Sequence, residues 1–160
     1  MHTGRPTRGA VQCPMNSPHR ILVVEDDAVI RRLNTKVLVD SGYEVDAAEN
    51  GAVAWDALQL NGYDLVITDN KMPKVSGVDL IKKLYAAHMS LPVIMVSGTM
   101  PAEELKQSPW LQIKATLDKP YSIADLLSTV KNVLLASDGA RDEITPPYWQ
   151  SRQSAVGLRL

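Results

Sequence analysis

The 160-residue sequence predicts an open α/β fold: a five-stranded parallel sheet with helices on both faces. Three observations predict it. Five short apolar runs recur along the chain. Each is followed by a segment with helical spacing. The strongest runs are apolar throughout rather than alternating, as strands covered on both faces are.

The first run, Ile21 to Val24, ends in Glu25-Asp26-Asp27. Residues 28–41 follow with helical spacing, Val29, Leu33 and Val37 sharing a face with Ile30 and Leu38, and Gly42 suits the cap. Val45, Ala47 and Ala48 form a short second strand, and residues 51–60 a second helix stopped at Asn61-Gly62. Leu65-Val66-Ile67 is the third run, ending in Thr68-Asp69, and a third helix is expected from about Val78 to His88. Pro92 to Val96 is the fourth, ending in Ser97-Gly98, with a weaker helix over Ala102 to Ser108. Ala115 to Leu117 is the fifth, ending in Asp118-Lys119-Pro120. Ser122 then caps a last helix with Ile123, Leu126, Leu127, Val130, Val133 and Leu134 on its apolar side.

Residues 1–18, rich in Gly and Pro and without periodicity, read as a disordered leader. The domain spans residues 19–136, and residues 137–160 read as a flexible tail carrying Tyr148, Trp149 and Leu158. With 45% apolar residues the chain can build a core, but Phe is absent, so aliphatic side chains and Met must fill it. A net charge of −1 argues against direct nucleic-acid binding, which usually shows a basic excess. No apolar run is long enough to span a bilayer, and residues 1–20 lack the apolar core of a secretory signal. The lone Cys13 forms no internal disulfide. The expectation is a soluble cytoplasmic protein.

Open parallel sheets bind ligands beyond the carboxyl ends of their strands. Those ends carry Glu25, Asp26 and Asp27, then Asp69, then Ser97, then Lys119. Crowded carboxylates repel one another unless a cation compensates, and a hard divalent ion such as magnesium suits oxygen ligands. Magnesium keeps waters and favours phosphate, so the pattern points to a phosphoryl site. Asp69 is the candidate nucleophile. Lys119 would neutralise phosphoryl oxygens and Ser97 would donate a hydrogen bond to one. Taken alone, Asp26 and Asp27 read as helix caps and Ser97 as a turn residue; the convergence of strand ends favours a site.

Several motifs together resemble the receiver domain of two-component response regulators. They are Ile-Leu-Val-Val-Glu25-Asp26-Asp27, Thr68-Asp69-Asn70-Lys71-Met72-Pro73 with Gly77 eight residues after Asp69, Ser97-Gly98 and Lys119-Pro120. The resemblance covers residues 19–136 and implies a CheY-like, flavodoxin-like sheet of order 2-1-3-4-5. It implies Asp69 as phosphoacceptor and magnesium held by Asp26, Asp27, Asp69 and the backbone carbonyl of Lys71. It further implies a phosphoryl-sensing pair, Ser97 and Lys119, and a cis Lys119–Pro120 bond. The donor would be a sensor histidine kinase or a histidine phosphotransfer domain. The protein would relay the signal to another protein, as a monomer or a phosphorylation-dependent dimer, rather than act as an enzyme on other substrates.

The chain departs from the family pattern at Thr116, where a switch aromatic usually stands three residues before the lysine, and in carrying no recognisable output domain. The alternative is a degenerate receiver that binds partners without phosphorylation. Two other classes fit poorly. A haloacid-dehalogenase-type phosphatase needs a second carboxylate two residues after its nucleophile, where this chain has Lys71. A nucleotide-binding loop needs glycines after the first strand, where this chain has acids.

Overall fold

The computed structural model describes residues 17–143. Five strands alternate with five helices: β1 (Arg20–Val24), α1 (Ala28–Asp40), β2 (Glu44–Ala48), α2 (Gly51–Leu60), β3 (Leu65–Asp69), α3 (Gly77–Ala86), β4 (Val93–Ser97), α4 (Ala102–Gln107), β5 (Ile113–Asp118) and α5 (Ile123–Glu143). All pairings are parallel and the sheet order is β2-β1-β3-β4-β5, as the resemblance implied. Among the described residues no helix is long and apolar enough to cross a membrane.

Alternation along each strand divides the core in two. Leu22, Val24, Val66 and Met95 point to one face and pack with Ala54 and Leu58 of α2 and Val78, Ile81 and Leu84 of α3. Ile21, Val23, Ile67, Ile94 and Val96 point to the other and pack with Leu38 of α1 and Leu126, Val130 and Leu134 of α5. β1, β3 and β4 are buried on both sides, which is why their sequences read as unbroken apolar runs. β5 lies at an edge and alternates between half-buried and exposed positions. Its register slips once against β4: Val93 faces Ile113 and Ile94 faces Ala115, leaving Lys114 as an extra, bulged residue.

Three helices differ from the sequence expectation. On α1, Val29 and Leu33 are exposed, while Asn34 and Leu38 are buried. The buried stripe therefore runs through a polar residue, which the apolar pattern alone could not place. Asn34 Nδ2 is satisfied at 2.8 Å by the Tyr121 hydroxyl. α3 ends at Ala86 rather than His88, because His88 adopts a left-handed φ of 54° and Met89 N–H closes back on the Leu84 carbonyl. α5 runs on to Glu143, past the point where the apolar pattern stops. Gly139 weakens a helix without breaking it, and the next proline is Pro146. The overhang is tied down by Asp138, 2.9 Å from His19 just ahead of β1. The C-terminal end of α1 is as expected: Gly42 has φ 95° and Tyr43 N–H reaches the Leu38 carbonyl. The expected leader up to residue 16, and the tail from residue 144 with Tyr148, Trp149 and Leu158, lie outside the described residues.

Candidate functional site

The chain leaves β1 to form β2 on one side and β3 on the other, so the carboxyl ends of β1 and β3 flank the crevice where the topology reverses. Period-two counting carries the pattern of buried residues into that crevice. Ile21 and Val23 pair in register with Leu65 and Ile67, so the next members of the two rows, Glu25 and Asp69, are neighbours on the α1/α5 face. On β5 the same row runs through Ala115 and Leu117 to Lys119. Two carboxylates and an ammonium thus meet on one side of the sheet.

The contacts follow. Lys119 Nζ lies 2.9 Å from Asp69 Oδ2 and 3.0 Å from Glu25 Oε2. Both carboxylates are buried. Burial pushes the Glu25 carboxyl above its usual value, against the pull of the Lys119 hydrogen bond and of the Asp27 amide. Burial alone would lower the Lys119 ammonium, but the hydrogen bonds it donates to Asp69 and Glu25 outweigh it and leave its pKa raised. Lys119 N–H donates to the Ser97 carbonyl at 3.0 Å, joining the ends of β4 and β5, and the Lys119–Pro120 bond is cis.

Asp69 is fixed from several directions. Its Oδ1 accepts from Lys71 N–H at 3.2 Å, and its carbonyl accepts from the Thr68 hydroxyl at 2.9 Å. The loop after it folds back so that Asn70 Oδ1 accepts from Val78 N–H at the start of α3. That return passes close to the strand: a Cβ on Gly77 would sit 2.5 Å from the Asp69 carbonyl oxygen, so the position has room for glycine alone. Ser97 is buried, its hydroxyl donating to the Thr99 carbonyl at 2.7 Å.

The acidic group differs in one member from the sequence expectation. Carboxylate oxygens of Glu25, Asp26 and Asp69 lie within 4.8 Å of one another. Asp27 is not among them. It is the N-cap of α1, its Oδ1 accepting from Val29 N–H at 2.8 Å and Ile30 N–H at 3.1 Å, and these bonds lower its pKa. Glu25 joins the group although the motif resemblance names only the aspartates that follow it; the parity of β1 is the signal that identifies it. An all-oxygen set of three carboxylates beside a single ammonium is the donor chemistry of a hard divalent ion, so the residues fit magnesium. Thr116, at the position of the family's aromatic, is exposed on β5, and Tyr121 is half-buried against Asn34 of α1.

Residues 21–131 match the family model described as the response regulator receiver domain. The chain belongs to that family. The receiver domain is 30% identical over 118 residues to the response regulator receiver protein CpdR of Brucella abortus, covering 74% of this chain and 98% of that protein. Its fold superposes with a TM-score of 0.73 on a CheY-like response regulator receiver domain protein from Methanospirillum hungatei JF-1, at 28% identity, covering 78% of this chain and 99% of that one. It also matches the response regulator protein TrrA from Thermotoga maritima, solved in complex with Mg(2+)-BeF, at 31% identity and a TM-score of 0.64, covering 72% and 98%. The receiver domain spans about half the length of several other curated relatives, among them transcriptional regulatory proteins.

Proposed function

We propose that this receiver domain accepts a phosphoryl group on Asp69 from a phosphohistidine of a sensor histidine kinase or a histidine phosphotransfer domain, with Mg2+ as cofactor. The observation that carries the reading is the Lys119 ammonium bridging Asp69 and Glu25 beside the Asp26 carboxylate. In the transfer, the P–N bond to the donor imidazole breaks and a P–O bond to an Asp69 carboxylate oxygen forms, giving an acyl phosphate. Lys119, already bonded to Asp69, would follow the new negative charge, and Ser97 would turn its hydroxyl from the Thr99 carbonyl toward a phosphoryl oxygen. Asp26, Asp69 and the Lys71 carbonyl would hold the metal, with Glu25 rather than Asp27 as the further acid. Bound there, the ion would neutralise phosphoryl oxygens as they shift from donor to acceptor. The TrrA complex with Mg(2+)-BeF, from a relative with the same fold, supports magnesium as the cofactor.

The chain then acts in the cytoplasm as a signalling partner for another protein, monomeric or dimerising on phosphorylation, and not as an enzyme on external substrates. Its net charge of −1 supports a protein target over nucleic acid. The test is incubation with acetyl phosphate and Mg2+. A single hydroxylamine-labile phosphate is expected, lost with chelator and in Asp69→Asn; an unmodified native protein refutes the reading. One observation favours a second reading, a phosphorylation-independent binding module: the small, exposed Thr116 in the aromatic's place. Partner binding unaltered by beryllofluoride and by Asp69→Asn would select it.

A further inference from the structure

Glu25 is fixed by its own side-chain contacts, but Asp26 is not: among the described residues none donates to its carboxylate. Its position is set through its main chain. The β1–α1 loop turns out of the sheet at Glu25 and Asp26, and the carbonyls of both residues are taken by one side chain. Arg31, one turn into α1, places Nη1 2.7 Å from the Glu25 carbonyl and 3.2 Å from the Asp26 carbonyl. The Arg31 amide itself donates to the Asp27 carbonyl at 2.9 Å. Three successive carbonyls of the acidic loop are therefore held by Arg31.

We infer that Arg31 is a positioning residue for the metal site: it presets the loop so that the Asp26 carboxylate stands beside Glu25 and Asp69 before any ion arrives. The inference rests on the metal reading proposed above. Its logic is that of groups that orient metal ligands without touching the metal. Their removal typically weakens metal binding by about 10–100-fold, and the lower end applies to an exposed ligand such as Asp26. The sign of the effect separates positioning from charge. A guanidinium near a cation site repels the ion, so if charge were its whole influence, neutralising Arg31 would tighten metal binding. Positioning predicts the reverse.

The experiment titrates the full chain with Mn2+, a hard ion suited to the same oxygen ligands, and follows the electron paramagnetic resonance signal of free Mn2+. Arg31→Gln is compared with Arg32→Gln, which removes an equal charge from the exposed side of α1. Urea denaturation confirms that each variant is folded, and amide exchange at Asp26 and Asp27 in metal-free protein reports the loop itself. We expect Arg31→Gln to weaken Mn2+ binding about tenfold, with faster exchange at both amides. Arg32→Gln should bind as tightly as the native protein or slightly more so. Native affinity or tighter binding in Arg31→Gln, or equal weakening in Arg32→Gln, overturns the inference while leaving the metal site standing. A native protein that does not bind Mn2+ at all refutes the metal site instead.

Discussion

Replacing Lys119 with methionine keeps the aliphatic stem and deletes the one ammonium that separates Glu25 from Asp69. Their side chains are 4% and 9% exposed, so neither carboxylate can recover full hydration. Breaking a fully buried ion pair costs about 3–5 kcal/mol. Here the lysine side chain is 23% exposed and the site opens to solvent, so a loss nearer 1–3 kcal/mol is expected at neutral pH. The pH dependence carries the sharper content. Glu25 already binds its proton more tightly folded than unfolded, because it is buried, and the Lys119 hydrogen bond opposes that shift. Without Lys119 the folded pKa rises further. The folded state then holds more protons than the unfolded state between the two values, so stability falls as pH rises through that window. The deficit of Lys119→Met relative to the native protein should therefore be largest near pH 7 and shrink as pH falls toward 5. Urea titrations followed by circular dichroism at both pH values measure it. A deficit of the same size at the two pH values would refute the account based on uncompensated carboxylates.

Asp27→Ala should cost about 1 kcal/mol through loss of the α1 cap, yet leave Mn2+ affinity nearly unchanged, whereas Asp26→Asn should weaken binding strongly. Comparable losses of affinity in both would restore Asp27 as a ligand. Gly77→Ala forces a Cβ to 2.5 Å from a backbone oxygen and 2.9 Å from the Asn70 Cα, neither of which can yield easily. A destabilisation of at least the ~1–3 kcal/mol typical of overpacking is expected by chemical denaturation. Tyr121→Phe strands the buried Asn34 amide and should cost about 1–3 kcal/mol, most of it recovered in the double variant with Asn34→Leu, because removing both partners leaves nothing unsatisfied.

The strands were legible because three of the five are covered on both sides and so had to be written in unbroken apolar residues. Sheet order came from the motif resemblance rather than from the runs, since alternating strands and helices are compatible with several orders. The α1 surface departs from its apolar pattern for a definite reason. Hydrophobic periodicity assumes that buried positions are apolar, and Asn34 is buried because Tyr121, 87 residues away, supplies its partner. The extension of α5 depends likewise on a remote contact, His19 with Asp138. Around the acidic group, the meeting of Asp69 with Lys119 was legible from strand ends alone, while the Ser97 hydroxyl turns to its own loop at Thr99. The motif resemblance singles out the two aspartates after β1, whereas strand parity selects Glu25 for the buried face and the helix start claims Asp27 as its cap.

Parity also gives the bulge on β5 a meaning. Had Ile113 and Ala115 paired without a slip, both would look the same way, and so would Leu117 and Lys119 after them. Ile113 instead joins the core under α2 and α3, while Ala115 and Leu117 join the core under α1 and α5. Lys114 works as a half-turn of phase, one residue inserted so that everything beyond it looks the opposite way. A chain of the same composition, motifs and order that paired Lys114 in an unbroken register with β4 would aim its Lys119 ammonium at the α2 and α3 side of the sheet, away from the carboxylate it serves.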